Sequence, residues 1–301
     1  MKNSILPRKI RLAASQFELW QMYRNWKHAK QLASTSKRLD LCAAQFAHLL
    51  HVSGHGSLKG KSCLEIGSGW VLSHALICHL LGAERVIASD ISGIASLACL
   101  TDAIRGAVPS IVRDILTPFE EHHELRRRLD GLLSVDHWTL NRLKEFGIEY
   151  LAPIDLAKRR LGTPVDFIYS FSSLQYVPIT DIEPLLRNLA HDLSPGGAMI
   201  HCIHLEDDRS IIDDPFAFLT EDGYSMENKE HGVNRVRRSQ WNTIFSNLER
   251  MDFRFIYEWR RMDKPLPKNI APSVVYQDEN DLRTSHIGAY CVKQASGPAG
   301  I

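Results

Sequence analysis

The sequence predicts an α/β fold built on a doubly wound, mostly parallel sheet. Three observations lead to this expectation. The apolar run Ser62–Ile66 is short, and two glycines, Gly67 and Gly69, follow it. A stretch with helical character comes next, and a second short apolar run, Arg85–Ser89, leads into Asp90. Strand, glycine turn, helix and strand in this order predict a βαβ unit whose strands are buried on both faces.

The glycine turn and Asp90 together predict a nucleoside ligand. Without side chains at positions 67 and 69, the backbone can turn sharply, and amides at the start of the helix from about Val71 can face a ligand's polar groups. Asp90 falls 21 positions after Gly69, at the carboxyl end of the second strand. A carboxylate at that place can accept hydrogen bonds from both hydroxyls of a ribose.

Two common phosphate-binding patterns are excluded. A dinucleotide fingerprint needs a third glycine where this chain has Leu72, so a pyrophosphate has no close approach to the backbone there. The lysine and hydroxyl pair of a P-loop is also missing. What remains is an acidic residue, Glu65, just before the glycines, and the carboxylate after the second strand.

The composition predicts one packed core domain that is close to neutral. Of the 301 residues 44% are hydrophobic, and 36 basic side chains stand against 35 acidic ones. No overall field would attract nucleic acid or a membrane, and no apolar run reaches membrane-spanning length. We therefore expect a cytoplasmic protein with neutral, small or sugar-like partners. The six cysteines lack paired metal-ligand spacing and are expected to be buried, reduced thiols.

Residues 1–57 are expected to form a helical N-terminal extension to the core sheet. Aromatic residues recur in it at three- and four-residue spacing. The extension either covers the ligand or simply packs these aromatics on the sheet. They are Phe17, Trp20, Tyr23 and Trp26.

Residues 58–294 are expected to form the core domain, with 295–301 as a tail. Within the domain, residues 106–148 are far longer than a usual connection between a crossover helix and the next strand. Leucines at helical spacing predict that this insert is helical. Ligands of such sheets bind at the carboxyl edge, and we expect the insert to cap that edge and shape a second pocket.

The remaining strands are read from apolar runs bounded by turn residues. A short helix, Leu156–Leu161, is expected after the third strand, and Asp155 either binds an adenine amino group or caps this helix. The later strand candidates are Glu149–Asp155, Val165–Ser173, Ala198–Leu205, Phe253–Arg260 and His286–Lys293.

The segments around the glycines and the later strands resemble class I S-adenosylmethionine-dependent methyltransferases. More narrowly, they look like one bacterial group whose genes often lie among those for surface polysaccharides. The resemblance runs from about residue 58 to 293. The stretches that carry it are Glu65-Ile-Gly-Ser-Gly-Trp70, Tyr150-Leu-Ala-Pro-Ile-Asp155, Tyr169-Ser-Phe-Ser-Ser-Leu-Gln-Tyr-Val177, His201-Cys-Ile-His-Leu-Glu-Asp-Asp208 and Asn234-Arg-Val-Arg237.

The resemblance implies a Rossmann-like sheet of seven strands, mostly parallel, with the last strand antiparallel. It implies S-adenosylmethionine as cofactor and S-adenosylhomocysteine as product. The residues that it places on the cofactor are Glu65, Gly67, Ser68, Gly69, Asp90, Ile91, Ile154, Asp155 and Ser170.

This chain departs from the group's pattern after the fifth strand. The pattern there is similar to His-x-Ile-Asp-Leu-x-Asp-His, but His204 stands where the aspartate would be and Asp208 where the last histidine would be. The departure leaves the cofactor assignment unchanged and puts the catalytic residues in question.

The resemblance implies methyl transfer, and a hydroxyl acceptor would also need its proton removed. His204 or His201 can be the base, because histidine titrates near neutrality. The two point to opposite faces of a strand, and His204 is favoured as the one nearer its carboxyl end. The acidic run 206–208 is either a solvated loop or a Mg²⁺ site. The basic segment Asn234–Arg238 either binds an acidic sugar or phosphate group or pairs with these acids.

The expected function is therefore O-methylation of a sugar or another small hydroxylated acceptor. Two alternatives stay open. One is methylation of a nitrogen or carbon of a small metabolite. The other is a binding or scaffold protein that has kept the fold and lost catalysis, which the intact Glu65, Gly67, Gly69 and Asp90 disfavour.

Overall fold

The computed structural model describes residues 35–226 and 232–295. Most of the expected N-terminal extension, with all four of its aromatics, therefore lies outside the described residues. The described part of the extension is mainly one helix, α1, at Arg38–Ser53.

Seven strands form one sheet, in the order β3-β2-β1-β4-β5-β7-β6. Strand β1 pairs in parallel with β2, and β2 with β3, whereas β7 is antiparallel to both β5 and β6. This confirms the expected Rossmann-like, mostly parallel sheet with an antiparallel last strand. The strands are β1 (Ser62–Ile66), β2 (Arg85–Ser89), β3 (Ile148–Leu151), β4 (Val165–Phe171), β5 (Leu193–His204), β6 (Met251–Arg260) and β7 (Thr284–Lys293).

Helices flank the sheet and connect its strands. After α1 they are α2 (Ser73–Leu80), α3 (Leu97–Gly106), α4 (Pro109–Leu116), α5 (His122–Leu133), α6 (Leu140–Glu145), α7 (Ile179–Asp192), α8 (Arg238–Ser246) and α9 (Glu279–Arg283). Two short 3₁₀ turns lie at Leu174–Tyr176 and Ala217–Thr220. No helix among the described residues is both long and apolar enough to cross a membrane. All six cysteines are buried and free.

The third strand is shorter than expected, and the helix predicted at Leu156–Leu161 is wrong. Strand β3 ends at Leu151, so Asp155 lies in the turn that follows and not at the strand's end. The segment forms turns because side chains of α7 form hydrogen bonds with its backbone groups. Asp192 accepts from the Leu161 amide at 2.7 Å, and Asn188 donates to the Leu156 carbonyl at 2.8 Å.

The described chain divides into two compact units. The first comprises residues 35–155 and 164–169, and the second comprises 156–163, 170–226 and 232–295. In the first unit α1 contributes a fully buried face. Its Phe46 meets the ring of Tyr169 edge to face, with centroids 5.1 Å apart, and Phe167 at 6.2 Å. The described end of the extension is therefore part of this unit's core.

The insert is helical, but its anchoring contacts are not at the carboxyl edge of the sheet. Helix α2 starts beyond the carboxyl end of β1, so its last residues lie at the amino edge. Arg128 of α5 donates to the Leu80 carbonyl there at 2.8 Å and pairs with Glu120 at 2.8 Å. Phe146, which follows α6, packs against His79 of α2. Arg128 thus binds a free carbonyl at a helix end. The expectation that the insert caps the carboxyl edge stays a prediction.

The second unit has its own hydrophobic cluster, under the long connection between β5 and α8. Phe216 and Phe218 are fully buried in it, together with residues from the segment between β6 and α9. The cluster gives the connection a fixed packing, so its polar side chains are held in defined positions.

Truncating Phe46 tests whether α1 belongs to the core. We expect Phe46→Ala to lower the free energy of unfolding by about 3–5 kcal/mol, because it removes a buried ring and leaves a cavity. Leu41→Ala, on the same helix but 48% exposed, is the control and should change it by less than about 1 kcal/mol. Equal, small effects in urea denaturation of both variants would contradict this packing.

Candidate functional site

The turn after β1 has the backbone that its glycines were expected to allow. Gly67 and Gly69 have φ values of 72° and 66°. The amides of Gly67 and Ser68 both donate to the Ser89 carbonyl at 2.9 Å, which ties the turn to the end of β2. Leu72, where a dinucleotide site has glycine, also has a positive φ, 58°, and is buried.

Asp90 is buried at the carboxyl end of β2 and orders both loops of this edge. One carboxylate oxygen, Oδ2, accepts from the Gly69 amide at 3.0 Å, and Oδ1 accepts from the Ser92 amide at 2.9 Å. The Ser92 hydroxyl also donates to Oδ1, at 3.3 Å. The carboxylate is thus fixed in place by both loops.

Tyr150 supports the loop that follows Asp90. Its hydroxyl accepts from the amides of Ile94 and Ala95 at 2.9 and 3.2 Å and lies 3.2 Å from the Ser92 carbonyl, to which it donates. Sequence reasoning placed Tyr150 only inside a resembling stretch. Its role depends on β3 pairing with β2, which brings the side chain beside a loop more than fifty positions earlier.

Glu65 is buried on β1 and has a charged neighbour that the sequence did not reveal. Its Oε1 lies 3.6 Å from Nδ1 of His74, at the start of α2. Its Oε2 is buried without a partner among the described residues. Burial lowers the pKa of His74, but the Cys42 thiol and Glu65 outweigh this and raise that pKa to about 9.

The other predicted cofactor residues of this unit lie near the same edge. Ile91 is 41% exposed directly after Asp90. Ile154 is buried, and its amide donates to the Asp90 carbonyl at 2.9 Å. Asp155 follows it and is half-buried. The hydroxyl of Ser68 is buried without a partner among the described residues.

In the second unit, Ser170 and His201 form a buried pair. Ser170 Oγ lies 2.9 Å from His201 Nδ1, and His201 is fully buried on β5. Burial lowers the pKa of His201 to about 3, so the imidazole is neutral. Its ring stacks against Phe245 of α8. The assignment of Ser170 and His201 to the site stays a prediction. The structure shows that the serine hydroxyl and the imidazole lie within hydrogen-bond distance of each other.

His204 ends β5 in a more open position. Its Nε2 lies 3.0 Å from Ser172 Oγ, and its ring meets that of His286 at a centroid distance of 4.1 Å. Burial lowers the pKa of His204, so the half-buried ring is neutral at pH 7. In the tautomer whose Nε2–H donates to Ser172, the lone pair of Nδ1 is left to accept a proton.

The acidic run 206–208 does not converge on one point. Glu206 pairs with Arg261 at 2.8 Å. Both carboxylate oxygens of Asp207 accept hydrogen bonds from Arg209. Asp208 accepts a hydrogen bond from the Tyr176 hydroxyl. Burial raises the pKa of Asp208 to about 6. In residues 35–226 and 232–295 no group of three His, Cys, Asp or Glu side chains is arranged to hold a metal ion. The three acids are therefore engaged with three different partners.

The arginines of the basic segment do not hydrogen-bond to these acids either. Arg235 donates to the carbonyls of Phe218 and Glu221, Arg238 pairs with Glu258 at 2.7 Å, and Arg237 donates to the Leu205 carbonyl. The expectation that the segment pairs with residues 206–208 is wrong as far as direct hydrogen bonds are concerned.

The depressed pKa of His201 gives a pH dependence of stability. In an unfolded chain the pKa is near 6.5, so between about pH 6.5 and 3 the unfolded state binds more protons than the folded state. The free energy of unfolding should fall as the pH drops through this window, by about 1.4 kcal/mol per pH unit from this group.

His201→Gln should make that slope shallower by about the same amount, measured by urea denaturation between pH 6.5 and 4.5. The exposed His122, replaced in the same way, is the control and should leave the slope unchanged. Parallel curves for the wild type and His201→Gln would show that His201 is not buried as a neutral ring.

Comparison with known proteins finds similar structures at low identity. No family model matches the chain, and no curated protein matches it. The magnesium protoporphyrin IX methyltransferase of Synechocystis PCC 6803, solved with bound SAM, is 12% identical with a TM-score of 0.45, over 97% of this chain and 100% of that one. A chain of the complex between the Haloferax volcanii Trm112 methyltransferase activator and its methyltransferase is 12% identical with a TM-score of 0.47, over 90% and 96%.

An S-adenosylmethionine dependent methyltransferase from Mesorhizobium loti is 16% identical with a TM-score of 0.43, over 83% of this chain and 98% of that one. At these identities and scores the likeness carries no argument about activity. The assignment of a function to this chain depends on its own strand order and side chains.

Proposed function

We propose that this chain is an S-adenosylmethionine-dependent methyltransferase. The observation that carries the proposal is the pair of carboxylates on neighbouring strands, Glu65 and Asp90, on either side of the glycine turn. Asp90 is fixed in orientation by the Gly69 and Ser92 amides, while Glu65 has one buried oxygen without a partner among the described residues. A ribose diol and an ammonium group are the ligand parts that such acceptors bind.

The residues of the first unit fit each part of this cofactor. Asp90 would accept from the ribose hydroxyls, and the unpaired Oε2 of Glu65 would accept from the ammonium group of the methionine part. The exposed Ile91 offers an apolar surface for the adenine ring, with Asp155 as the acceptor for its amino group. The absence of a glycine at position 72 is consistent with a ligand that has no pyrophosphate.

The bound cofactor would supply an electrophilic methyl group, with S-adenosylhomocysteine as the product. Transfer of that methyl is an in-line displacement, so the protein mainly aligns the reactants and excludes water. A hydroxyl acceptor must also lose its proton, and we assign that step to His204. Its lowered pKa keeps the ring neutral at pH 7, and its contact with Ser172 fixes the ring's orientation.

We propose a sugar or another small hydroxylated molecule as the acceptor, because a neutral imidazole is a base suited to hydroxyl groups. His201 is the second candidate for the base. Because its ring is fully buried and lies within hydrogen-bond distance of Ser170, we favour a structural role for His201 over direct contact with the acceptor.

Asp90→Ala tests the cofactor assignment. Losing hydrogen bonds to a charged group should weaken S-adenosylmethionine binding by about 1.5–3 kcal/mol, or roughly tenfold to a hundredfold or more, in calorimetry. Asp114→Ala removes an exposed carboxylate from α4 of the same unit and should bind as the wild type does. An unchanged affinity of Asp90→Ala would refute the assignment.

His204→Ala tests the base. We expect turnover, followed as S-adenosylhomocysteine release across a panel of hydroxylated acceptors, to fall by about a hundredfold to ten-thousandfold. Cofactor affinity should stay the same, since no cofactor contact is assigned to His204. His122→Ala, at an exposed site, serves as the control.

The alternatives give different results in the same assays. Loss of activity in His201→Ala but not in His204→Ala would reverse the assignment of the base. Full activity in both variants would show that the base lies elsewhere or that the acceptor needs none. Cofactor binding without release of S-adenosylhomocysteine on any acceptor would favour a binding protein.

A further inference from the structure

Arg237, the residue just before α8, is a buried cation with unused hydrogen-bond donors. Its side chain has 0% exposure. Only Nη2 has a partner, the Leu205 carbonyl at 2.5 Å, while Nε and Nη1 have none among the described residues. The ring of Phe218 lies near the guanidinium, with 5.8 Å between Cζ and the ring centroid.

The nearest carboxylates do not take these donors. Glu206 is held by Arg261 at 2.8 Å, with His286 at 3.5 Å from its other oxygen. Asp281 accepts from the Ser239 amide and hydroxyl and from the Gln277 amide. Burial lowers the pKa of Arg237 to about 10, with Asp281 and Glu206 acting in the opposite direction. Both acids influence the guanidinium without being bonded to it.

The other two arginines of the segment, Arg235 and Arg238, both have several hydrogen-bond partners. Arg235 makes three hydrogen bonds, to two carbonyls and to Ser273 Oγ, and Arg238 donates twice to Glu258. Taking a charge out of water costs several kcal/mol unless it is paired and hydrogen-bonded. Arg237 bears that cost with one carbonyl as its only hydrogen-bond partner among the described residues, and its unused Nε and Nη1 donors are expected where a ligand supplies their partner.

A second buried side chain with unused polar atoms lies in the same part of this unit. Gln175 is 1% exposed, and both its Oε1 and Nε2 lack partners among the described residues. The amide of Asn234 donates to the Gln175 carbonyl at 2.7 Å, so the turn that carries Gln175 is bonded to the segment that carries Arg237. One turn into α8, Trp241 Nε1 is buried without a partner as well.

We propose that Arg237 is the anion-recognition residue of the acceptor site, and that the acceptor carries a carboxylate or phosphate group. Nε and Nη1 of a guanidinium form a planar fork that matches two oxygens of such a group. Gln175, whose backbone is bonded to the same segment, has an unpaired amide among the described residues that could serve the neutral part of the acceptor. Arg237 donates to the carbonyl of Leu205, the residue that follows His204. The anion would therefore bind to a side chain that is hydrogen-bonded to the neighbour of the assigned base. The inference rests on the proposed function and narrows its acceptor to an acidic sugar or a sugar phosphate.

The test uses the full chain and three probes: D-glucuronate, D-glucose 6-phosphate and D-glucose. Calorimetry without added cofactor should show saturable binding of at least one of the two anions and none of glucose. Binding of glucuronate alone identifies a carboxylate acceptor, and binding of glucose 6-phosphate alone a phosphate acceptor. Equal binding of glucose and the anions, or binding of none of the three, would overturn the proposal.

Arg237→Met, a neutral side chain of similar length, should weaken anion binding by about tenfold to a hundredfold or more. Arg238→Met is the matched control, because it removes a paired charge one residue away and should keep the anion affinity. The melting temperature separates recognition from a structural role. Replacing an uncompensated buried cation should leave it unchanged or raise it, whereas a lower melting temperature with unchanged anion affinity would show that Arg237 only supports the fold.

A measurement on the wild type makes the test independent of whether Arg237→Met folds. The assigned Nε–H signal of Arg237 in a ¹H–¹⁵N spectrum should shift saturably with the bound anion and stay in place with glucose. An unmoved signal under saturating anion would overturn the proposal. Affinity for S-adenosylmethionine is measured separately on each protein, so a failure of the cofactor assignment is seen apart from a failure at Arg237.

Discussion

The hydrogen bond from the Gly69 amide to the Asp90 carboxylate is the constraint on which the candidate cofactor site depends. Together with the two amides that donate to the Ser89 carbonyl, it ties the turn after β1 to the end of β2. These bonds require the positive φ of Gly67 and Gly69, which other residues rarely adopt. The carboxylate is thus oriented before a ligand arrives, and binding need not order it. Both the glycine pattern and the distant aspartate follow from this one geometry.

The parts of the fold that local sequence determines were predicted well. Strands β1 and β2 have the expected bounds, because short apolar runs end at glycines or at a carboxylate. The segment after β3 was predicted wrongly, because its backbone groups bond to Asn188 and Asp192 some thirty positions later. The insert was predicted as helical, but its contact with the end of α2 was not predicted, since nothing in the sequence indicates which carbonyl Arg128 binds.

In the candidate site too, some residues could be predicted from the sequence and others only from the folded chain. Glu65, Gly67 and Asp90 can be read from the strand, turn, helix and strand pattern, whereas the contact of His74 with Glu65 and that of Tyr150 with the loop after Asp90 depend on the folded chain. Arg237 is the clearest example of a residue that the sequence alone does not single out. In sequence it is one of three arginines within four positions, and nothing distinguishes it from its neighbours until burial and partners are known. Patterns of residue types report local backbone geometry, and unsatisfied donors are a property of the packed state.

The contacts of Arg128 with the end of α2 and with Glu120 have a consequence for the residue that follows α2. Arg128 donates to a helix-end carbonyl at the amino edge of its unit and pairs with Glu120. Gly82 lies so close to this pair that even a methyl group there would meet Glu120. Glycine at position 82 is therefore required twice, by its positive φ of 83° and by the space that the Arg128 and Glu120 pair occupies.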